Sequence, residues 1–429
     1  MLSCTLTFSP SQDQGFFGGI PAAPAVFLLR GEGEPYVSKS ANLRRRLTRL
    51  LSPPREESKR LNLRDRVREI EFTPTGSDFE SQFLLYQLLR NTFPKTYSAR
   101  LRLRFAPLIK LHMENEYPRA SVTTRLGRLM WGEQQPSAVL GPQAGTVAEA
   151  AKPSSFARQD SRGRLSPRGS NLYYGPFPSR AAAEKFASDS LDFFKMRRCV
   201  DDLHPDPAFP GCVYSEMKMC LAPCFKGCTD SDYHAEVARV QAFFESGGDS
   251  LTRELAQHRD HASTALAFED AAAVHAKIEK LKPLLAQLPE IVQRIDRLHA
   301  IVIQPGAEPD SVSLSRFSAG CFTGPVLFNI QPAPASGSME SRVEEVIHSF
   351  SPPEIEIKSS LERMEHLALL KRWYYRSSRI GEIFFADEKG AWPLRKIVRG
   401  IGRVYLGEKP QEPASFSATL PEAPPSQAL

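Results

Sequence analysis

The amino-acid sequence predicts an α/β chain of several units: an α+β N-terminal domain around a small central sheet, a cysteine-rich segment, a helical hairpin, and a small mixed α/β C-terminal domain. Three observations carry this. Short apolar strand patterns alternate with helical spacings up to about residue 105. Five of the seven cysteines, Cys199, Cys212, Cys220, Cys224 and Cys228, crowd into thirty residues. Ala- and Glu-rich stretches with helical periodicity follow them.

Each element has a local reason. In the first unit, residues 18–105, Ala25-Val26-Phe27-Leu28-Leu29 is an apolar strand and Arg30 to Glu34 a Gly-rich turn. Pro35-Tyr36-Val37 opens a second strand, which makes a hairpin. A helix follows, with Ser38 or Ser40 near its cap and Leu43, Leu47 and Leu50 on its buried side; Pro53-Pro54 stops it. Residues 67–73 alternate as a third strand through Val67, Ile70 and Phe72. A second helix, from about Asp78 to Asn91, is expected to bury Phe79, Phe83, Leu84 and Leu88.

Residues 106–132 form a strand-rich extension, its pieces centred on Leu103 to Leu111 and Arg119 to Thr123. Residues 133–170, rich in Ala, Pro, Ser and Gly, read as a flexible linker. The cysteine-rich region, 171–228, opens with Tyr173-Tyr174-Gly175-Pro176-Phe177 and a helix from Arg180 to Lys195. In the helical region, 229–285, Thr229 caps a helix carrying Tyr233, Val237, Val240 and Phe244, and Gly247-Gly248 breaks it. A hairpin over 251–282 follows, its second arm striped by Phe268, Ala271, Val274, Ile278 and Leu281. Residues 300–406 form a C-terminal α/β domain of unassigned role, with a helix near 360–373, and 407–429 a loose tail.

Composition narrows the class. A chain of 429 residues that is 41% hydrophobic has room for roughly two to four cored domains. The net charge of +6 permits a polyanionic partner. No apolar run reaches the roughly 20 residues that span a bilayer, and the N-terminus lacks a signal-peptide pattern, so a cytoplasmic chain is expected. In a reducing compartment clustered thiols favour ligation over disulfides.

Between residues 44 and 68 ten Arg or Lys residues stand against three acids. Arg44, Arg45, Arg46 and Arg49 lie on the first helix; Lys59, Arg60, Arg64, Arg66 and Arg68 come after the Pro-Pro break. Such a face suits phosphate oxygens, although a solvated helix surface has the same pattern. The cysteine spacing supplies more thiolates than the four that tetrahedral zinc or a cubane cluster needs, and does not separate the two. A metal-free cysteine cluster is the bland alternative. His258 and His261, three apart on a helix, read as solvent-facing.

In this order the motifs resemble the UvrC family, the nuclease subunit of bacterial nucleotide excision repair, over roughly residues 18–285. Ala25-Val26-Phe27, Tyr36-Val37-Ser38-Lys39 and Asn42-Leu43-Arg44-Arg45-Arg46-Leu47 are similar to the strands and arginine-bearing helix of its N-terminal GIY-YIG nuclease domain. Tyr173 to Phe177 resembles its Tyr-Phe-Gly-Pro-Tyr segment. Cys199, Cys212, Cys220 and Cys224 fall on its four-cysteine region, which implies a [4Fe-4S] cluster first and zinc second, with Cys228 spare or a substitute. Phe268, Glu269, Ala271 and Ala272 match the motif that docks UvrB, although the hairpin stripe could equally pack inside this chain.

The departures matter as much. The resemblance makes Tyr36 a general-base candidate and Lys39 and Arg46 cationic phosphate stabilisers, with Arg44, Arg45, Arg49, Lys59 and Arg60 as further DNA contacts. The family's strand tyrosine is Phe27 here, and its metal-binding glutamate aligns with Leu85, which has no oxygen to offer Mg²⁺. Residues 300–406 lack a convincing acidic set, and the RNase H-like and helix-hairpin-helix modules of the family are not recognisable. The reading is a UvrC-like repair protein that binds double-stranded DNA, docks UvrB, touches no membrane, and has a degenerate, inactive nuclease site. The alternatives are an active endonuclease making a single metal-dependent incision, with Glu80 or Asp78 as substitute ligand for Mg²⁺, and a redox-sensing scaffold that needs no DNA.

Overall fold

The computed structural model describes residues 2–11, 14–53, 61–127, 170–200, 203–331, 337–350 and 359–408. The expected 133–170 linker, apart from residue 170, and the tail beyond 408 lie outside these residues. Eleven α-helices and three antiparallel four-stranded sheets make up the described chain, a mixed α/β architecture as expected.

The N-terminal unit contains β1 (Cys4–Thr7), β2 (Ala25–Gly31), β3 (Tyr36–Ser40), α1 (Leu43–Leu51), β4 (Val67–Pro74), α2 (Asp78–Thr92) and α3 (Tyr97–Leu101). Its sheet runs β1-β4-β2-β3. The expected β2–β3 hairpin pairs Phe27 with Ser38 and Leu29 with Tyr36. Strand β1 escaped the sequence reading, because four half-exposed residues give too short an alternation.

Helix α1 lays Leu43, Leu47, Leu50 and Leu51 on Ala25, Phe27, Leu29, Ile70 and Phe72. The cap expectation is corrected: Ser38 and Ser40 are held in β3, and the Asn42 side chain accepts from Arg45 N at 2.9 Å. Helix α2 starts at Ser77, whose Oγ accepts from Glu80 N at 3.0 Å. Its expected apolar stripe is also corrected. Phe79, Phe83, Tyr86 and Leu89 are buried, while Leu84 and Leu88 are only partly covered. The reason lies far along the chain, where a second apolar surface covers α2.

The middle contains β5 (Leu108–Leu111), β6 (Ala120–Thr123), β7 (Leu172–Gly175), α4 (Arg180–Leu191), the short α5 (Val213–Glu216), α6 (Asp230–Glu245), α7 (Asp249–Thr264), α8 (Phe268–Ala286) and β8 (Gln293–Arg294). Its sheet runs β6-β5-β7-β8. The strand expected from Leu103 begins only at Leu108, and the helix expected to reach Lys195 stops at Leu191, where Phe194 and Met196 turn inward. Thr229 caps α6 with Asp232 in a reciprocal box. Tyr233, Val237, Val240 and Phe244 are buried as expected. Gly248 has φ +99°, and a Cβ there would lie 2.3 Å from Leu285, so the break also lets α7 close on α8.

The C-terminal unit contains β9 (His299–Pro305), β10 (Ser311–Ser318), β11 (Cys321–Asn329), α9 (Met339–Ser349), α10 (Ser360–Tyr374), β12 (Glu382–Phe385) and α11 (Leu394–Tyr405). Its sheet runs β11-β10-β9-β12. The two-residue period of β9 splits the core. Ile301 and Ile303 face α9 and α11 through Val343, Ile347, Ile397 and Ile401. Ala300 and Val302 face the other way, into a cluster with Phe317, Phe322, Leu370 and Trp373.

That second cluster joins the C-terminal unit to α2. The Phe322 ring meets Phe79 at 5.3 Å and Phe83 at 5.4 Å between centroids, and Trp373 meets Phe79 at 5.3 Å. The buried Glu365 carboxylate accepts from Tyr86 Oη at 2.9 Å and Tyr97 Oη at 2.8 Å, and Arg90 pairs with Glu362 at 2.7 Å.

Two stability effects are expected. Glu365→Ala leaves two tyrosine hydroxyls short of an acceptor and should lower unfolding free energy by about 2–4 kcal/mol in urea titrations, with Glu365→Gln milder. Burial and nearby Lys110, Arg119 and Arg197 push His112 down to about 4, and its neutral ring bonds Ser121 Oγ at 2.7 Å. Because the folded value lies below the ordinary 6.5, stability should hold above pH 6.5 and fall progressively toward pH 4. Thermal unfolding of His112→Gln across that window should show a shallower fall.

Candidate nucleic-acid interface and cysteine centre

Strand β3 and helix α1 bring two of the three expected catalytic residues together. Arg46 Nη2 donates to Tyr36 Oη at 2.8 Å, and Arg46 Nε is buried without a hydrogen-bond partner. Phe27 is fully buried, its ring 6.1 Å from that of Tyr36. Lys39 goes elsewhere. Tyr36 packs with the cluster under α1 and Val37 with the cluster around α2, so strand alternation sends Tyr36 and Lys39 to opposite faces. Lys39 Nζ reaches Asp78 at 2.6 Å, and the other Asp78 oxygen accepts from Arg376 Nη1 at 2.6 Å. Burial pushes the Asp78 carboxyl up, but Lys39 and Arg376 outweigh it and hold it below the usual range.

The other acid on the first turn of α2 is spent locally. Glu80 Oε2 accepts from Gly76 N at 2.8 Å, and burial pushes its carboxyl up against that bond. Leu85 is packed against the apolar cluster that α2 shares with the C-terminal unit.

The basic face is only partly available. Arg45 and Arg49 are exposed on α1. Arg44 is exposed too, although its Nε donates to Ile20 O at 2.6 Å. Arg64 donates to Leu51 O at 2.6 Å and to Pro10 O, Arg66 to Glu32 O, and Arg68 pairs with Glu32 at 3.0 Å. These three brace the unit. Lys59 and Arg60 lie outside the described residues.

The cysteines share one neighbourhood. Cys220 is pushed up to about 11, by burial first, with Cys199, Cys224 and Cys212 adding to the shift. Cys224 is raised by burial and by Cys212 and Cys199, whereas Cys228 is raised by burial and by Asp232 and Asp230. Cys224 also acts on Cys228, so all five thiols are linked electrostatically. Two donors point at sulfur: Arg197 Nη1 to Cys199 Sγ at 3.4 Å and Ala222 N to Cys220 Sγ at 3.3 Å. Among the described residues no three His, Cys, Asp or Glu side chains stand in metal-holding geometry. The donor set itself, four soft sulfurs with N–H···S support, fits zinc or an iron–sulfur cluster.

On α8 the expected stripe is corrected at its start. Val274, Ile278 and Leu281 are buried, but Phe268 is 66% exposed beside Leu266 at 72%. Glu269 and Ala272 are exposed as well, and Ala271 is half-buried. His258 and His261 are exposed, as expected. Sequence reasoning missed Arg376, which lies 298 residues from Asp78. No local pattern marks such a partner.

The described chain is thus a mixed α/β protein with an arginine-bearing helix and a segment rich in thiols. Residues 148–243 match the UvrC/Cho excinuclease middle-domain family. The UvrABC system protein C of Rickettsia canadensis is 26% identical over 292 residues, covering 68% of this chain and 39% of that protein. Those of Rickettsia africae and Idiomarina loihiensis are 25% identical over 317 residues and 26% over 261, covering 73% and 60% of this chain and 42% and 36% of theirs. Over these spans the chain is similar to UvrC proteins. It spans about two-fifths of the length of these curated relatives. No solved structure matches it. Among the described residues no helix is long and apolar enough to cross a membrane.

Alkylation gives a check on the thiol environment. In metal-free protein at pH 8, a Cys220 thiol near 11 holds a thiolate fraction of about one in a thousand. Cys220 should be the last of the five clustered cysteines modified by iodoacetamide, read by peptide mass mapping.

Proposed function

We propose that this chain is a UvrC-like DNA-binding protein of nucleotide excision repair whose GIY-YIG-like N-terminal unit holds duplex DNA without cutting it. One observation carries the inactive half of that reading. Where the family has its metal-binding glutamate stands Leu85, packed into apolar surroundings. Metal-assisted phosphodiester cleavage needs an oxygen-ligated ion to stabilise developing charge, and leucine offers none. Glu80 is committed to the start of α2, and Asp78 is neutralised between Lys39 and Arg376.

The DNA-holding half rests on charge. Arg45 and Arg49, with Arg44, give α1 an exposed cationic side suited to phosphate oxygens. Cys199, Cys212, Cys220 and Cys224 would hold the cofactor, a [4Fe-4S] cluster first and zinc second. When bound, either group would cross-link the 199–224 segment, and the cluster would add one-electron chemistry. The exposed Leu266 and Phe268 at the start of α8 fit an apolar partner surface, which we assign to UvrB.

An active single-incision endonuclease is the second reading, favoured by one feature: Asp78 is a half-exposed carboxylate beside Lys39. Purified full chain should bind duplex DNA with salt-sensitive affinity, and Arg45→Glu with Arg49→Glu should weaken it about tenfold or more. No nicking of damaged or branched duplex should occur with Mg²⁺ or Mn²⁺. Nicking that Asp78→Ala abolishes would overturn the inactive assignment and establish the second reading.

A further inference from the structure

We propose that a cationic groove between the helical region and the C-terminal unit binds single-stranded nucleic acid. The groove encloses about 2040 Å³ and runs from the α6–α7 junction, past residues 286–299, to β12 and α11. Small-molecule pockets span roughly 300–1,000 Å³, so a polymer is the better-sized occupant. The site lies apart from the α1 face and does not depend on the function assigned to that face.

Its charge is unbalanced by design of α11. That helix buries Ile397, Ile401 and Val404 in the C-terminal core and turns Lys396, Arg399 and Arg403 to the groove. Eight Arg or Lys residues line the groove against five carboxylates. Two of these carboxylates are already paired. Glu382 is held by Arg403 at 2.6 Å through both its oxygens, and Glu245 by Arg294 at 2.7 Å. Lys396 and Arg399 are exposed and form no ion pair within 4 Å among the described residues, although Lys396 faces Glu290, so their charge is available to phosphates.

Aromatic rings interleave with these cations. Phe384 and Trp392, both half-buried, line the same groove beside the buried Tyr374. Gly400 lets the Phe384 ring lie on α11: a Cβ there would come within 2.4 Å of it. Phosphate-binding cations alternating with stacking rings are what an unpaired strand requires, whereas an acidic peptide would use the cations alone.

Fluorescence anisotropy of the full chain with labelled oligothymidine tests this. Lys396→Glu with Arg399→Glu should weaken binding at least about tenfold and reduce the slope of log affinity against log salt by about 1.4, the release from two single-strand phosphate contacts. Trp392→Ala should weaken it several-fold with the slope unchanged. Circular dichroism melts verify folding, and the milder Lys396→Gln and Arg399→Gln variants replace the double variant should it melt early. Wild-type affinity in the folded charge variants overturns the proposal. So does equal competition by poly-glutamate of matched charge, which would make this an acidic-peptide surface.

Discussion

Helix α2 is sandwiched. One side rests near β2 and β3 of the N-terminal sheet, and the other supplies Phe79, Phe83 and Tyr86 to an aromatic cluster owned largely by β10, β11 and α10. The polar edge of that contact is satisfied rather than excluded: Glu365 takes both tyrosine hydroxyls, and Arg90 takes Glu362. A buried carboxylate without those partners would cost several kcal/mol, so the two units are matched residue by residue. The C-terminal unit is therefore not an appendage. It is part of the core that defines where α2 points.

This packing bears on chemistry. A helix packed by apolar surface on two sides favours an apolar residue at half-buried position 85 over an unpaired carboxylate, which would lose part of its hydration. Leucine at that position is consistent with the packing around it. The charged groups left near α2 pair among themselves, as Lys39, Asp78 and Arg376 do. Tyr36 and Arg46 keep their mutual hydrogen bond on the opposite face of the sheet. The arrangement retains groups that touch phosphate and separates them from any oxygen-rich corner.

What the sequence disclosed follows the range of each interaction. Leu43, Leu47 and Leu50 were legible because α1 packs on its own neighbouring hairpin, so one helical period has one partner. Thr229 and the break at Gly247-Gly248 were legible because caps and positive-φ glycines act within a few residues. The buried face of α2 was not, since Leu84 and Leu88 satisfy helical spacing as well as Tyr86 and Leu89 do, and only Phe322 and Trp373 decide between them. Phe268 extended an apolar stripe whose cover begins only nearly two turns later, at Val274. The separation of Tyr36 from Lys39 was readable in principle: an odd spacing within one strand means opposite faces.

The cysteine segment is tied to the same logic of distant support. Buried Arg197 donates to Tyr117 O at 2.9 Å and to Cys199 Sγ, and its own N–H donates to Tyr233 Oη, which in turn donates to Pro118 O at 2.8 Å. The first thiol thus hangs from the β5–β6 connection and from α6 at once. Tyr233, Met196 and the buried residues of α8 belong to one apolar cluster, with Leu221 packed against it. Because packed cores resist gradual deformation, tightening of the 199–224 segment by ligation would be felt along α6 and α8 rather than absorbed in a loop. The exposed Phe268, at the start of α8, lies beyond the residues that join this cluster.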